Sequence, residues 1–226
     1  MIKEREIENK IVKTNDIIIT SNEVETKMEK VQEMSMIYRS AIKEITTKLE
    51  VLDGEFKVKR KRNPIEYIKS RVKSLKSIIG KLERLDLEVS CESARSNLND
   101  IAGVRVVCSF LSDIYEIAEM LKSQDDITVI AEKDYIKHPK PNGYRSLHLV
   151  LEIPVFFSEH VEYVPVEVQI RTIAMDFWAS LEHKLYYKTF EDVPISITSD
   201  LKECADVIAS TDRKMQEIQR KVEKLN

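Results

Sequence analysis

Residues 163–171 restrict the fold of this chain more than any other segment. Val164, Val166, Val168 and Ile170 fall on one parity, and Glu167, Gln169 and Arg171 on the other. Successive side chains of a strand point to opposite faces, so the run describes a strand with one face in a core. Its other face carries a carboxylate, an amide and a guanidinium in a row. Two settings suit that pattern: a salt-bridged strand at the edge of a sheet, or a strand whose polar face lines a ligand site.

The neighbouring sequence supplies the rest of a sheet. Apolar runs at 67–73, 101–110, 127–133 and 145–153 are further candidate strands. Helices are expected at 74–85, at 112–122 with Ser112 as N-cap, and at 172–188. The first strand has a competitor, because Asn63-Pro64-x-Glu66 also reads as a helix start. A strand is favoured because it places Lys69, Arg71 and Lys73 on one face, opposite Ile68 and Val72. Apolar residues at three- and four-residue spacing mark long amphipathic helices at 21–50 (Met28, Val31, Tyr38, Ile42, Ile45, Leu49) and at 199–225 (Leu201, Cys204, Val207, Met215, Ile218, Val222). The expected architecture is a single α+β domain over 1–226, with a mixed sheet of about five strands at about 57–190 and helical extensions at both ends.

Composition narrows the class. The chain is 42% hydrophobic and 33% charged, and no apolar run approaches the ~18 residues of a membrane span. The first residues lack the apolar stretch of a signal peptide. Cys91, Cys108 and Cys204 are widely spaced with no CxxC, which suits a reducing, cytoplasmic setting and makes them packing residues rather than zinc ligands. The net charge of −3 conceals a cationic stretch at 57–84, where eleven Lys/Arg face only Glu66 and Glu83. A cationic cluster in an acidic protein fits one localised polyphosphate site better than a nucleic-acid coat. DNA is not expected as a partner; RNA is allowed but not indicated.

Two segments carry candidate chemistry. In 134–148, Pro139 and Pro141 stiffen the approach to an Asn142-Gly143 turn. Beyond it Tyr144, Ser146 and His148 share one parity and should project together, as a site for a flat, anionic, hydrogen-bonding ligand such as a nucleotide. Asp100 leads the run 101–107, which contains Gly103 and Arg105. Alone it is as easily a plain turn aspartate, but Asp100 and Glu167 together could hold one Mg²⁺ with substrate phosphates. Arg71, Lys73 and Lys81 surround Ser77. The chain has neither GxxxxGK[ST] nor GxGxxG, so a nucleotide must be gripped by side chains from a sheet, as in nucleotidyltransferase-like folds. Phe177 and Trp178 read as core.

Four blocks together, SRVKSLKSIIGKL, DIAGVRV, KDYIKHPKPNGYRSLH and VEVQIRTIAMDFWASLEHKLYYK, resemble the small alarmone synthetases, single-domain relatives of RelA/SpoT. The resemblance implies transfer of pyrophosphate from ATP to the 3′-hydroxyl of GDP or GTP, with Mg²⁺, in a homotetramer. It assigns Arg71, Lys73, Ser77 and Lys81 to the ATP phosphates, and Arg84 with Arg105 to adenine. Asp100 becomes a metal ligand, and Glu167 a metal ligand and base toward the 3′-hydroxyl. Tyr144 is implied to stack on guanine, with Lys140, Asn142, His148 and Gln169 around the acceptor and Lys133 toward its phosphates. Glu182 and His183 could support the site from behind. No His-Asp pair of the family's hydrolase domain occurs, so synthesis without hydrolysis is expected. The competing readings are a catalytically inactive alarmone- or RNA-binding module, which would not need Asp100 and Glu167, and another nucleotidyltransferase, whose Gly-Ser and paired acids are missing.

Overall fold

The computed structural model describes residues 12–14, 17–19, 21–188 and 195–225. A short hairpin, β1 (Val12–Thr14) and β2 (Ile17–Ile19), precedes the long helix α1 (Ser21–Lys59). There follow β3 (Ile65–Val72), α2 (Leu75–Arg84), α3 (Cys91–Asn97), β4 (Ala102–Cys108), α4 (Leu111–Lys122), β5 (Thr128–Asp134), β6 (Leu147–Phe156), β7 (Val161–Thr172), α5 (Ile173–Lys188) and α6 (Ile195–Glu223). The main sheet has the order β3-β4-β7-β6-β5. Only the β4–β7 pair is parallel; the other three pairs are antiparallel. β7 lies at the centre, so its polar face is not that of an edge strand.

Alternation along the strands decides what each face does. Val164, Val166, Val168 and Ile170 of β7 join Val104 and Val106 of β4 and Leu147, Leu149 and Leu151 of β6 in one buried face. α1 covers it with Ile37, Tyr38, Ala41, Ile45 and Leu49, and α4 with Ile114 and Ile117. The opposite face carries Arg71, Gly103, Glu167 and Val150 in register across four strands, with Lys69, Arg105, Gln169 and His148 in the next row.

Several expectations change. The segment after Asn63 is a strand, as favoured above. α1 runs ten residues past Leu49, because Leu52 and Phe56 continue its apolar spacing and Phe56 is buried. α4 starts at Leu111, and its N-terminal cap is made by Asp113, which accepts from the Phe110 amide at 3.1 Å; Ser112 instead gives its amide to Gln216. α3 was not foreseen.

The cationic stretch also divides. Lys57 and Lys59 pair with Asp53 and Glu55 one turn back on α1, while Arg60 and Arg62 pair with Glu116 and Asp113 of α4. Those four serve the fold, and only its second half faces the open side of the sheet. Trp178 is buried against Ala179 and Ala205, whereas Phe177 is 59% exposed and is not core. Cys108 is buried and Cys91 packs against the core, whereas Cys204 is exposed, so packing does not explain Cys204.

α6 docks by an unexpected face. Ala205, Ala209, Asp212, Gln216 and Gln219 turn inward, and Val207, Met215, Ile218 and Val222 turn out. The small residue is needed where α6 meets the Asn142-Gly143 turn. Gly143 has φ +90°, and a Cβ there would come within 2.6 Å of the Ala205 Cβ. Glycine is thus required twice, for the left-handed backbone and for the close approach. Arg145 clamps the same junction, donating to the carbonyls of Gly143 and Ala205 and to Asp206.

Candidate active site

The open face of the sheet forms a cleft of about 350 Å³, whose walls include Arg71, Lys73, Asp100, Arg105, Glu167 and Gln169. Six of the sequence-derived site residues therefore converge. Lys69 joins them. Gly103 forms the floor between Arg71 and Glu167; a Cβ there would meet only the Arg71 carbonyl at an ordinary 3.8 Å, so its effect is to keep the floor open.

Asp100 lies just before β4 and is gripped by Lys73 at 2.5 Å and by Lys81 of α2 at 2.8 Å. Burial pushes its carboxyl up, but the bonds and charges of the two lysines outweigh that and hold it below the ordinary carboxylate value. Glu167 follows the same logic. Its partial burial is outweighed by His148, whose Nδ1 lies 3.2 Å from Oε1, and by the Gln169 amide, 2.6 Å from Oε2. The net shift is downward even though the nearby Asp100 charge opposes it. Two ionised carboxylates thus share one cation-lined cleft.

Not every assigned residue lies in it. Ser77 sits in the first turn of α2, its hydroxyl 2.8 Å from that of the capping Ser74. Arg84 is in the last turn, exposed, its Nε donating to the Gly80 carbonyl. On the acceptor side, Tyr144 Oη is 2.8 Å from His148 Nε2. The Tyr144 ring is not bare: Lys140 Nζ lies 4.9 Å from its centroid and 4.7 Å from that of Tyr135. Asn142 is spent on structure, bonding Glu182 and the Tyr144 amide, so Glu182 does brace the loop. Lys133 is exposed on edge strand β5, opposite His148 in register. Ser146 is fully buried and donates to the Ile170 carbonyl, so it does not project with Tyr144 and His148.

Sequence reasoning missed the layer beneath. Arg171 is 2% exposed; its guanidinium donates to Tyr144 Oη and to Gln169 Oε1, both at 2.7 Å, and to Asp176 of α5 at 3.3 Å. Asp176 also holds Arg105 at 3.1 Å and accepts from Tyr67. Burial and that bond push the Tyr67 phenol up to about 12. Arg171 shares its parity with Glu167 and Gln169, which was the available signal; nothing local announces Tyr67 or Asp176.

A mixed five-stranded sheet with one face packed and the other bearing ionised carboxylates among cations defines a nucleotidyltransferase-like, polyphosphate-handling class of fold. Comparison with known proteins is more specific. Residues 70–192 match the region found in RelA / SpoT proteins. The GTP pyrophosphokinase YwaC of Bacillus subtilis is 46% identical over 209 residues, 92% of this chain and 100% of that protein. Small alarmone synthetase 2 from Bacillus subtilis matches in structure with a TM-score of 0.76 at 48% identity, covering 84% of this chain and 97% of that one. Small alarmone synthetase 1 from the same organism, solved with its product pppGpp, matches with a TM-score of 0.77 at 36% identity, covering 82% and 94%. The chain belongs to the RelA/SpoT family.

Proposed function

We propose that this protein is a synthesis-only alarmone synthetase, an ATP:GTP/GDP 3′-pyrophosphotransferase. The 3′-hydroxyl of GDP or GTP attacks the β-phosphorus of ATP. The bond from that phosphorus to the α,β-bridging oxygen breaks, AMP leaves, and ppGpp or pppGpp forms. The observation that carries the reading is Glu167, ionised and held by two bonds at the centre of the sheet, between the cations of β3 and α2 and the Tyr144 loop. From there it takes the hydroxyl proton as the new bond forms.

Arg71, Lys73 and Lys81 neutralise the ATP polyphosphate, Ser77 adds a hydroxyl, and Arg105, with Arg84 at the rim, flanks the adenine. Tyr144 stacks on guanine. Lys140 and Lys133 serve the acceptor phosphates, while Asn142, His148 and Gln169 shape the pocket. Phosphoryl transfer asks mainly for positioning and charge stabilisation, and this face offers both.

Mg²⁺ fits the donor set. Among the described residues no group of three or more His, Cys, Asp or Glu forms a cage, and Asp100 with Glu167 matches an ion held by two carboxylates and substrate phosphates. Such an ion would draw charge from the β-phosphate as the P–O bond breaks. Asp100 and Glu167 would hold it, and Lys73 and Lys81 would then turn from Asp100 to the phosphates. An inactive alarmone- or RNA-binding module would leave both carboxylates without a use.

A cytoplasmic setting belongs to the same reading, on the cysteine usage given above; among the described residues no helix is long and apolar enough to cross a membrane. Assembly as a homotetramer is supported by α6, which spends its small and polar face on its own domain and leaves Val207, Met215, Ile218 and Val222 outside. Light scattering at micromolar concentration tests this: four times the chain mass supports it, and the monomer mass rejects it. For the reaction, the protein is mixed with Mg²⁺, ATP and each of GMP, GDP and GTP, and the products are separated by anion exchange. AMP forming in step with a guanosine tetra- or pentaphosphate supports the reading. AMP without it, or no AMP, refutes it.

A further inference from the structure

We propose that Arg171, with its counter-charge Asp176, is a positioning residue of this site: it dictates the direction of both hydrogen bonds received by Glu167 and so aims that carboxylate. The inference deepens the reading of Glu167 as the base and rests on it. The Gln169 route follows from donor capacity alone. A guanidinium only donates, so Gln169 must turn Oε1 toward Arg171, which leaves its NH₂ facing Glu167 Oε2. The Tyr144 oxygen likewise accepts from Arg171, and in this proposal its own proton is directed to His148 Nε2. His148 therefore accepts at Nε2 and carries its proton on Nδ1, directed at Glu167 Oε1.

The two routes converge. Both leave Arg171, both end on Glu167, and both arrive as donors, which is the only polarity an ionised carboxylate accepts. Arg171 is in turn fixed by Asp176 at 3.3 Å. Asp176 also holds Arg105 of the ATP side, so one buried ion pair is seated under both nucleotide pockets. The arrangement supports the reacting group from beneath and touches no nucleotide itself.

The test has a spectroscopic and a kinetic arm. In ¹⁵N-histidine-labelled wild-type protein, two-bond N–H correlation spectra should show His148 as a single tautomer protonated at Nδ1, with Nε2 bare. The opposite tautomer, with the ring's single proton on Nε2, overturns the proposal without any variant. In the kinetic arm, Arg171→Met should lower kcat about 10–100-fold per folded molecule, the scale of a misplaced catalytic group. KM for ATP should change little, because Arg71, Lys73 and Lys81 are untouched and Asp176 still holds Arg105. Arg171→Lys, which still donates, should recover part of kcat. A folded Arg171→Met with wild-type kcat sinks the proposal; should Arg171→Met not fold, Arg171→Lys and the wild-type spectrum decide. Glu167→Gln runs in parallel. If it keeps wild-type turnover, the base reading fails; if it is inactive while Arg171→Met is normal, only the positioning role fails.

Discussion

The two halves of the open sheet face are built on different principles. On the ATP side, β3, α2 and the start of β4 present Lys69, Arg71, Lys73 and Lys81, long side chains of which Asp100 holds Lys73 and Lys81. On the acceptor side, β6, β7 and α5 hold His148, Gln169, Arg171 and Asp176 in a buried network with one permitted polarity. A polyphosphate is a diffuse charge that flexible ammonium groups can follow. A hydroxyl proton must be met within a fraction of an ångström. Adaptable charge therefore sits where the donor binds, and rigid, directional bonding where the proton is taken.

The sharpest way to break this contrast is to neutralise the carboxylate that lines the cleft on each side. Asp100→Asn and Glu167→Gln should each lower alarmone synthesis at least ~10²–10⁴-fold in protein that still folds, as measured by AMP release and calorimetry. Near-normal turnover in either, with a normal melting profile, removes that residue from the mechanism.

Smaller effects should separate by side. Tyr144→Ala should weaken guanine-nucleotide binding by about 1–3 kcal/mol, the worth of base stacking on an aromatic, and leave ATP nearly unaffected. Arg105→Ala should do the reverse, and by more than Arg84→Ala, since Arg84 lies outside the cleft. Titration calorimetry with GDP and with a non-hydrolysable ATP analogue reads both. Tyr144→Ala with unchanged GDP affinity and weakened ATP would mean the two pockets are exchanged.

What was legible in the sequence follows the same division. Strand parity placed Glu167 and Gln169 on the working face, and the central position of β7 removes the edge-strand reading. Arg71, Lys73 and Asp100 were singled out from the strand ends, and all three line the cleft. Three things escaped. The half of the cationic stretch at 57–62 pairs with Asp53, Glu55, Asp113 and Glu116, and the α4 partners are remote in sequence. Phe177 and Trp178 differ only by which side of α5 meets α6. Asp176 and Tyr67 join the site across 109 residues, a pairing no local pattern announces.

Acid sensitivity has the same sign on the two sides. Asp100 and Glu167 have folded values held below their ordinary 3.8 and 4.5. Their contribution to stability is present above those ordinary values and lost as pH falls through the folded ones. The melting temperature should hold down to about pH 5 and then drop. Lys73→Met, which removes one of Asp100's cations and so narrows the gap between its folded and unfolded values, should shrink that drop. An unchanged acid limb in Lys73→Met would show that the Lys73–Asp100 bond does not matter to stability.

Asp212 has the opposite sign and the smallest expected effect. It lies on the inward face of α6, 8% exposed, and accepts from the Thr172 hydroxyl at 2.6 Å. Burial raises its carboxyl, and that single bond offsets only part of the shift. A carboxyl with a raised folded value stabilises fully below its unfolded value, and the contribution is lost as pH rises through the folded one. At neutral pH, then, α6 is docked over a charge that would be better hydrated. Asp212→Asn keeps an acceptor for Thr172 and removes the charge. Its melting temperature at pH 8 should exceed wild type by about 2–4 °C, roughly 1 kcal/mol for a chain of this size, and the gain should shrink as pH falls toward 5. Because α6 backs the Gly143 turn, kcat should stay at wild type. A lower melting temperature at pH 8 would mean that the Asp212 charge holds α6 in place, so that the rigid side of the site, like the adaptable one, depends on an ionised carboxylate.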